Sequence, residues 1–327
     1  MDYPECINSS NLYSGNGTYA NIMSEIVGPA KMHSLALDKK HNAYPGSVMF
    51  PKRGNLLNRY VINGMLPRFN YGIKKQFYHY LDTGIMPVSE EGIVTVHDLY
   101  NPDNESTLIK KTRNMKLNKY KKFQHVISIS ETTRLNLLKF GFSDSSIKVI
   151  HHGVSVNWRK YENIREIREG FNIPTDKKVV LTVSDGPFKN NSMVTEALKN
   201  TGIVHVHVGK EAGEIKIRDL SLEGLNQLIC ASDVLVRVSS YEGFGFPPIQ
   251  ALTVGVPIVL SKVPVFWELF EDSAFFSDIS REGIINSVNQ AIREKDEYLQ
   301  KIGNKASYFS FESFKGRMDS YYSSIKF

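Results

Sequence analysis

Val234-Leu235-Val236-Arg237-Val238 runs into Ser239-Ser240-Tyr241-Glu242-Gly243-Phe244-Gly245-Phe246-Pro247-Pro248-Ile249-Gln250-Ala251-Leu252-Thr253-Val254-Gly255-Val256-Pro257. A short apolar run, a Gly/Pro-rich turn and a helical stretch from about Ile249 to Val254 follow one another, and Ile258-Val259-Leu260 then begins another strand. Gly243 and Gly245 let the backbone turn tightly and bring amides close to a ligand. Pro247 and Pro248 suit a first helical turn, where an N–H would have no intrahelical partner. Amides at the positive end of a helix dipole form a seat for a phosphate. Glu242 and Gln250 flank that seat with groups able to hydrogen-bond hydroxyls.

Working outward, the same alternation fills the second half. Val179–Val183 and Ile203–Val208 read as strands, with helical stretches from about Ser192 to Leu198 and from Leu222 to Cys230. Continuous β-branched runs alternating with helices predict a parallel sheet covered on both faces, a doubly wound α/β domain. The first half repeats the theme with strand-like Ile93–Val96, Val126–Ile129 and Ile147–Ile150, and with an amphipathic helix from Glu131 to Lys139 closed by Gly141. Asn8–Gly17 offers no first strand, residues 21–91 carry little signal, and charged Arg159–Arg168 reads as the connection between domains. Ligands bind doubly wound sheets at the carboxyl ends of their strands, so the loops that follow strands are where chemistry is expected.

Composition bounds the reading. A chain of 327 residues suits two domains of about 150 residues each. With 41% hydrophobic and 23% charged residues, wholesale disorder is excluded. No run reaches the roughly 18 apolar residues of a membrane span. Met1–Glu5 has neither a basic nor an apolar stretch, so it does not read as a signal peptide. Isolated Cys6 and Cys230 fit a reducing cytosol, with no metal-ligand spacing. Residues 1–160 carry 21 Lys+Arg against 12 Asp+Glu (+9), and the remainder 19 against 22 (−3), which together make the net +6. The densest basic cluster is Lys110, Lys111, Arg113, Lys116, Lys119, Lys121 and Lys122. It reads equally as a solvated helix face or as a contact for an anionic surface or acceptor.

Three further stretches stand at expected loop positions. Val183-Ser184-Asp185-Gly186-Pro187-Phe188-Lys189-Asn190 follows a strand, with Asn190 or Asn191 placed to cap the next helix. Val94-Thr95-Val96-His97-Asp98-Leu99 ends another strand in a histidine. Ser14-Gly15-Asn16-Gly17-Thr18-Tyr19-Ala20 is a glycine-rich turn before a helix.

Taken together, these stretches resemble the family 4 glycosyltransferases, which contain the glycosyl transferases group 1 domain. The resemblance covers most of the chain from about residue 92. Ile127–Thr132, Ile147–Val154 and the closing Tyr308-Phe309-Ser310-Phe311-Glu312-Ser313-Phe314 carry it as well. It implies an α/β GT-B fold, two doubly wound Rossmann-like domains facing across a cleft. Residues 1–155 would form the acceptor-side domain and 156–305 the nucleotide-sugar-binding domain, with 306–327 a helix crossing back to the first. It implies a retaining hexosyltransferase acting on a nucleotide-sugar donor. In such a family Glu242 contacts the donor hexose and Gln250 stands where a second glutamate meets the ribose. Gly243, Phe244, Gly245 and Phe246 form the phosphate turn, and Lys189 holds the pyrophosphate. Ser184 falls where an arginine is usual, so another cation has to serve. His97 lies near the transferred sugar, and Gly15 and Gly17 face the donor phosphate. His97, Glu242 and Lys189 are therefore the expected catalytic residues.

No Asp-x-Asp occurs, so a metal-independent site is expected, with no metal and no cofactor; a helix N-terminus and Lys189 would do the ion's electrostatic work. His205 and His207 share one face of a strand and read as sheet residues, not zinc ligands. The acceptor (glycan, lipid-linked or protein) is unspecified. The expected location is cytoplasmic or peripheral at a membrane surface through the basic first half. Rival readings are an inactive sugar-nucleotide binder, which Ser184 and Gln250 favour, and a GT-B epimerase or phosphorylase. Nucleic acid is not expected as a partner, since the basic half lacks interleaved aromatic platforms. A dinucleotide oxidoreductase would rest on Gly15-Asn16-Gly17 alone, without a preceding strand or a third glycine.

Overall fold

A computed structural model describes residues 2–10, 14–36, 48–49, 76–89, 91–99 and 107–326. The chain divides into two compact units, Met1–His152 with Lys315–Phe327, and Gly153–Phe314. Much of the low-signal stretch 21–91 lies outside the described residues.

The first unit comprises β1 (Glu5–Asn8), α1 (Gly15–Val27), β2 (Met32–Ala36), β3 (Val48–Met49), β4 (Tyr78–Tyr80), β5 (Gly92–Val96), α2 (Thr107–Tyr120), β6 (His125–Ser128), α3 (Glu131–Phe140) and β7 (Ile147–Val149). Its strands pair in parallel in the order β3-β2-β1-β4-β5-β6-β7. The inner strand β5 is buried along its whole length, as its apolar Ile-Val-Thr-Val sequence requires between two covering layers. Tyr78, Tyr80, Val94, Val96, Leu117, Tyr120 and Leu137 form the core on one side of this sheet. Ser130 caps α3 by accepting the Thr133 amide at 3.0 Å, and Gly141 closes it in a left-handed conformation.

A first strand does exist. β1 lies just ahead of the stretch that reads as strandless, and its Glu-Cys-Ile-Asn sequence offers only two apolar residues, too short a pattern to recognise. The basic cluster is a helix face with one exception. Lys110, Lys111, Lys119, Lys121 and Lys122 are exposed, whereas Lys116 is buried and donates to the Gly84 carbonyl at 2.5 Å. Burial pushes the Lys116 ammonium below its ordinary value, against the pull of Asp82.

The second unit contains α4 (Ile164–Gly170), β8 (Val179–Val183), α5 (Asn191–Leu198), β9 (Val204–Val208), β10 (Ile215–Ile217), α6 (Leu222–Cys230), β11 (Val234–Arg237), α7 (Phe246–Thr253), β12 (Ile258–Ser261), α8 (Pro264–Phe270), β13 (Phe275–Ser277), α9 (Arg281–Arg293), α10 (Lys295–Lys301) and α11 (Gly303–Tyr308). The terminal helix α12 (Phe311–Ser323) starts here, and from Lys315 the chain counts with the first unit. There Tyr3 donates to Asp319 at 2.9 Å and Tyr322 meets His79 at 2.6 Å.

All strands of the second sheet are parallel, in the order β10-β9-β8-β11-β12-β13. Val180, Val194, Val234, Val236, Val259, Ile284 and Val288 fill one core layer; each such side chain contributes about 1.5–3 kcal/mol by leaving water. The segment expected to link the domains is partly built into this unit. Arg168 on α4 donates to the Ala231 and Lys177 carbonyls at 2.8 and 2.9 Å and pairs with Asp233 at 2.8 Å. Its charge is buried, so it needs these partners, and a surface linker would not supply them. Among the described residues no helix is long and apolar enough to cross a membrane.

Candidate functional site

Both sheets reverse direction of growth once, between β1 and β4 in the first and between β8 and β11 in the second. The loops leaving two such strands diverge to opposite faces and open a crevice at the carboxyl edge. In the second unit those loops are Ser184–Asn190 and Ser239–Gly245, the two stretches in which the sequence places Lys189, Ser184 and Glu242.

Lys189 and Glu242 meet. The Lys189 ammonium lies 2.7 Å from Glu242 Oε1, and the same oxygen takes the Arg237 Nε–H at 2.5 Å and the Ser239 hydroxyl at 2.8 Å. The Glu242 side chain is 8% exposed, Arg237 5% and Lys189 20%. Burial by itself would raise the Glu242 carboxyl. Arg237 and then Lys189 more than offset that and hold it below its ordinary value, so it is ionised at neutral pH.

Arg237 is the residue the sequence reading missed. It ends the apolar run of β11, and a guanidinium in a buried strand has to find carboxylates and carbonyls. That requirement was the available signal. Arg237 Nη1 also donates to the Val183 carbonyl and reaches Ser184 Oγ at 3.4 Å. A guanidinium from the neighbouring strand thus stands beside the position whose side chain offers no charge. Ser184 itself is exposed and adopts φ +64°, a left-handed turn.

The asparagines do not cap α5 through their side chains. Asn190 Nδ2 donates to the Val238 carbonyl at 2.7 Å, and Asn191 Nδ2 to the Ser184 carbonyl at 2.9 Å. They bind the loop to β11 and to itself, because the left-handed Asn190 turns its side chain away from the helix amides.

The turn into α7 begins earlier than the sequence suggests, at Phe246, with Gly245 at φ +111° ahead of it. A Cβ on Gly245 would lie 2.8 Å from the Phe266 ring, so only glycine fits. Pro247 and Pro248 carry no N–H, which leaves Phe246 as the amide among the first three helical positions. The Phe244 and Phe246 rings are buried, 5.9 Å apart, and these residues have only main chain to offer a ligand. Gln250 is 4% exposed; its carbonyl accepts the Trp158 indole N–H at 2.9 Å, and its side-chain Oε1 has no protein partner among the described residues.

In the first unit His97 lies at the end of β5, 8% exposed, with Nε2 2.8 Å from the Leu81 carbonyl. A carbonyl only accepts, so Nε2 carries the proton and Nδ1 is the acceptor. Burial holds this imidazole below its ordinary value, with the Leu81 carbonyl pulling the other way. Its ring packs against Tyr19 and His152 at 5.0 and 5.3 Å.

Gly15 and Gly17 form the first turn of α1, where the Gly17 amide is used by the Ser14 cap at 3.1 Å. At the switch of this sheet stands a residue the sequence reading passed over, Asp82, 3% exposed. It accepts the Ser9 amide at 2.9 Å, the Ser10 hydroxyl at 3.0 Å, the Gly84 amide at 2.6 Å and the Ser9 hydroxyl. It ties the loop after β1 to the end of β4. Among the described residues no group of three or more His, Cys, Asp or Glu is arranged to hold a metal ion.

Two doubly wound parallel sheets in series match solved glycosyltransferases over nearly the whole chain. Anabaena HepE in complex with UDP-glucose is 15% identical at a TM-score of 0.78, covering 99% of this chain and 100% of that one. WaaG, a glycosyltransferase involved in lipopolysaccharide biosynthesis, is 11% identical at 0.76, covering 98% and 100%. The fold is that of GT-B glycosyltransferases. Residues 217–308, which include Arg237, Glu242 and the start of α7, match the family model described as glycosyl transferases group 1. The O-antigen chain mannosyltransferase RfbU of Salmonella typhimurium is 22% identical over 255 residues, 70% of this chain and 69% of that protein.

Proposed function

We propose that the chain is a glycosyltransferase that takes a sugar from a nucleotide-sugar donor and transfers it with retention of configuration to an acceptor. The observation that carries the reading is the convergence of Lys189, Arg237 and Glu242 at the switch between β8 and β11, beside the start of α7. Two cations against one carboxylate leave a net positive charge in a largely buried setting. A diphosphate complements that charge, and the Phe246 amide with the helix dipole adds to it. The group 1 match over this segment and the mannosyltransferase relative support the same chemistry.

In this reading Lys189 offsets the charge that grows on the departing diphosphate. Glu242 Oε1 is taken by protein donors, so Oε2 accepts from a hydroxyl of the donor hexose. The unpartnered Gln250 Oε1 suits a ribose hydroxyl. His97 accepts a sugar hydroxyl through Nδ1, and Gly15 and Gly17 shape the turn toward the phosphate. The leaving phosphate serves as the base. Protein cations, not a divalent ion, hold the diphosphate. The chain works in the cytoplasm or at its membrane surface, where the exposed lysines of α2 would meet anionic head groups.

A thermal-shift series with UDP, GDP and ADP tests the reading. A nucleotide at 100 times its Kd adds about 2.7 kcal/mol of stability. One of the three is expected to stabilise the parent chain, and Lys189→Ala and Glu242→Ala to lose that shift and all transfer while keeping the parent's far-UV spectrum. Wild-type-like turnover in either variant would refute the assignment. Binding without turnover in the parent would favour the inactive binder.

A further inference from the structure

Behind the loop that carries Lys189 runs a chain of hydrogen-bonded side chains, buried at its centre, with no part in the reading above. Asp185 accepts from His207 Nε2 at 2.9 Å, and His207 Nδ1 lies 2.8 Å from Thr182 Oγ1. The same hydroxyl lies 2.8 Å from His205 Nε2, and His205 Nδ1 lies 3.0 Å from Thr195 Oγ1, which accepts the Gly213 amide at 3.1 Å. His205, His207 and Thr182 are at most 1% exposed.

With neutral rings the direction of every bond is forced. An ionised Asp185 only accepts, so His207 carries its proton on Nε2 and its Nδ1 must accept. Thr182 has a single hydroxyl proton and spends it there, so His205 Nε2 must donate to Thr182. His205 Nδ1 then accepts from Thr195 at 3.0 Å, the shorter of that hydroxyl's two acceptors, since the Asn191 carbonyl stands at 3.3 Å, and the Thr195 oxygen takes the Gly213 amide. One polarity satisfies all five groups.

The far end is the loop itself. Asp185 also accepts the Lys210 and Glu211 amides at 3.0 and 3.1 Å, and Glu211 returns a bond from the Gly186 amide at 3.2 Å. The turn after β9 fits because Gly209 has no side chain. A Cβ there would lie 2.3 Å from His207 Nε2 and 2.5 Å from Asp185 Oδ1.

We propose that the Asp185–His207–Thr182–His205–Thr195 chain is a positioning brace that fixes the Ser184–Asn190 loop, and with it Lys189, for the diphosphate. Its link to donor binding rests on the function proposed above; the brace itself does not. His205, pushed down to about 3 by burial and then by His207, stays neutral throughout the working range, as the polarity requires.

Two measurements on the full chain test the brace without a ligand. Long-range proton–nitrogen NMR is expected to show each ring with its proton on Nε2 and a bare Nδ1. A proton on Nδ1 of either ring would break the order at Thr182 and overturn the proposal. Thr182→Val, which keeps shape and removes the hydroxyl, is expected to speed amide exchange across 184–190 about 10-fold while β11 and β12 keep their protection. An unchanged loop, or an equal rise throughout the unit, overturns it.

Should that variant fail to fold, Asp185→Asn can still accept from His207 and is expected to keep a slow loop where Asp185→Ala does not; equal exchange in the two is equally fatal. In the Thr182→Val chain the Kd for whichever of UDP, GDP and ADP stabilises the parent is expected to rise about 10-fold. If UDP, GDP and ADP bind neither chain, the donor reading fails while the tautomers and exchange rates still decide the brace.

Discussion

Replacing Arg237 by methionine keeps an unbranched, flexible stem and removes the guanidinium and its charge from a buried cluster. In the parent chain Glu242 has two cationic partners at 2.5 and 2.7 Å, one of them nearly inaccessible. Removing one member of a buried ion pair costs about 3–5 kcal/mol, because the carboxylate left behind keeps its desolvation penalty. Lys189 remains, so the low end, about 3 kcal/mol, is expected. With a urea slope of about 2 kcal/mol per molar, the midpoint should fall by about 1.5 M. Both tryptophans, Trp158 and Trp267, belong to the second unit, so intrinsic emission follows that unit.

The pH dependence sharpens the test. The folded Glu242 carboxyl sits below its ordinary 4.5, since Arg237 and Lys189 outweigh the burial that would raise it. A depressed carboxyl contributes stability that is fully present above the unfolded value and is lost as pH falls through the folded one. The gap between parent and variant should therefore be widest near pH 7 and close as the pH falls through the folded carboxyl's value, which lies below 4.5. A parent-like midpoint at pH 7, or a gap that persists unchanged in acid, would refute the ion-pair account.

Three shorter expectations follow from the same structure. Gly245→Ala must hold alanine at φ +111° with its methyl against Phe266; a loss of about 2 kcal/mol in denaturation and a weaker nucleotide shift are expected. Arg168→Ala removes the buried cationic partner of Asp233, whose carboxyl burial would raise but the Val179 amide, Lys178 and Arg168 hold low; about 3 kcal/mol of stability should be lost at pH 7, read by the same emission. Turnover should survive excess EDTA unchanged, and a loss restored by magnesium or manganese would contradict a diphosphate held by protein cations alone.

The second unit was readable because its strands are continuous apolar runs and its loops carry local punctuation. Val179–Val183, Leu222–Cys230 and the turn before α7 each announce themselves within a few residues, and the structure places them as strand, helix and turn. The first unit was harder for the same reason inverted. β1 contributes two apolar residues, and β4 is Tyr-His-Tyr, whose buried histidine is tolerated only because Thr95 and Tyr322 meet it at 2.8 and 2.6 Å. Those partners lie 16 and 243 residues away in sequence, beyond any periodic pattern.

The same distinction explains what was seen and missed at the candidate site. Lys189 and Glu242 were found through short motifs, but their meeting depends on β8 and β11 being neighbours, which is a matter of strand order. Once β11 lies beside β8, an arginine at the end of one strand reaches the first residue of the loop leaving the other. A motif that lacks a cation at Ser184 therefore need not describe a site that lacks one. Charge at a switch point belongs to the sheet and not to any one loop, because several strands deliver side chains to the same edge. That makes Arg237 the decisive substitution. If methionine there leaves nucleotide affinity intact while Lys189→Ala abolishes it, the ammonium alone grips the diphosphate and Arg237 only holds Glu242 in place.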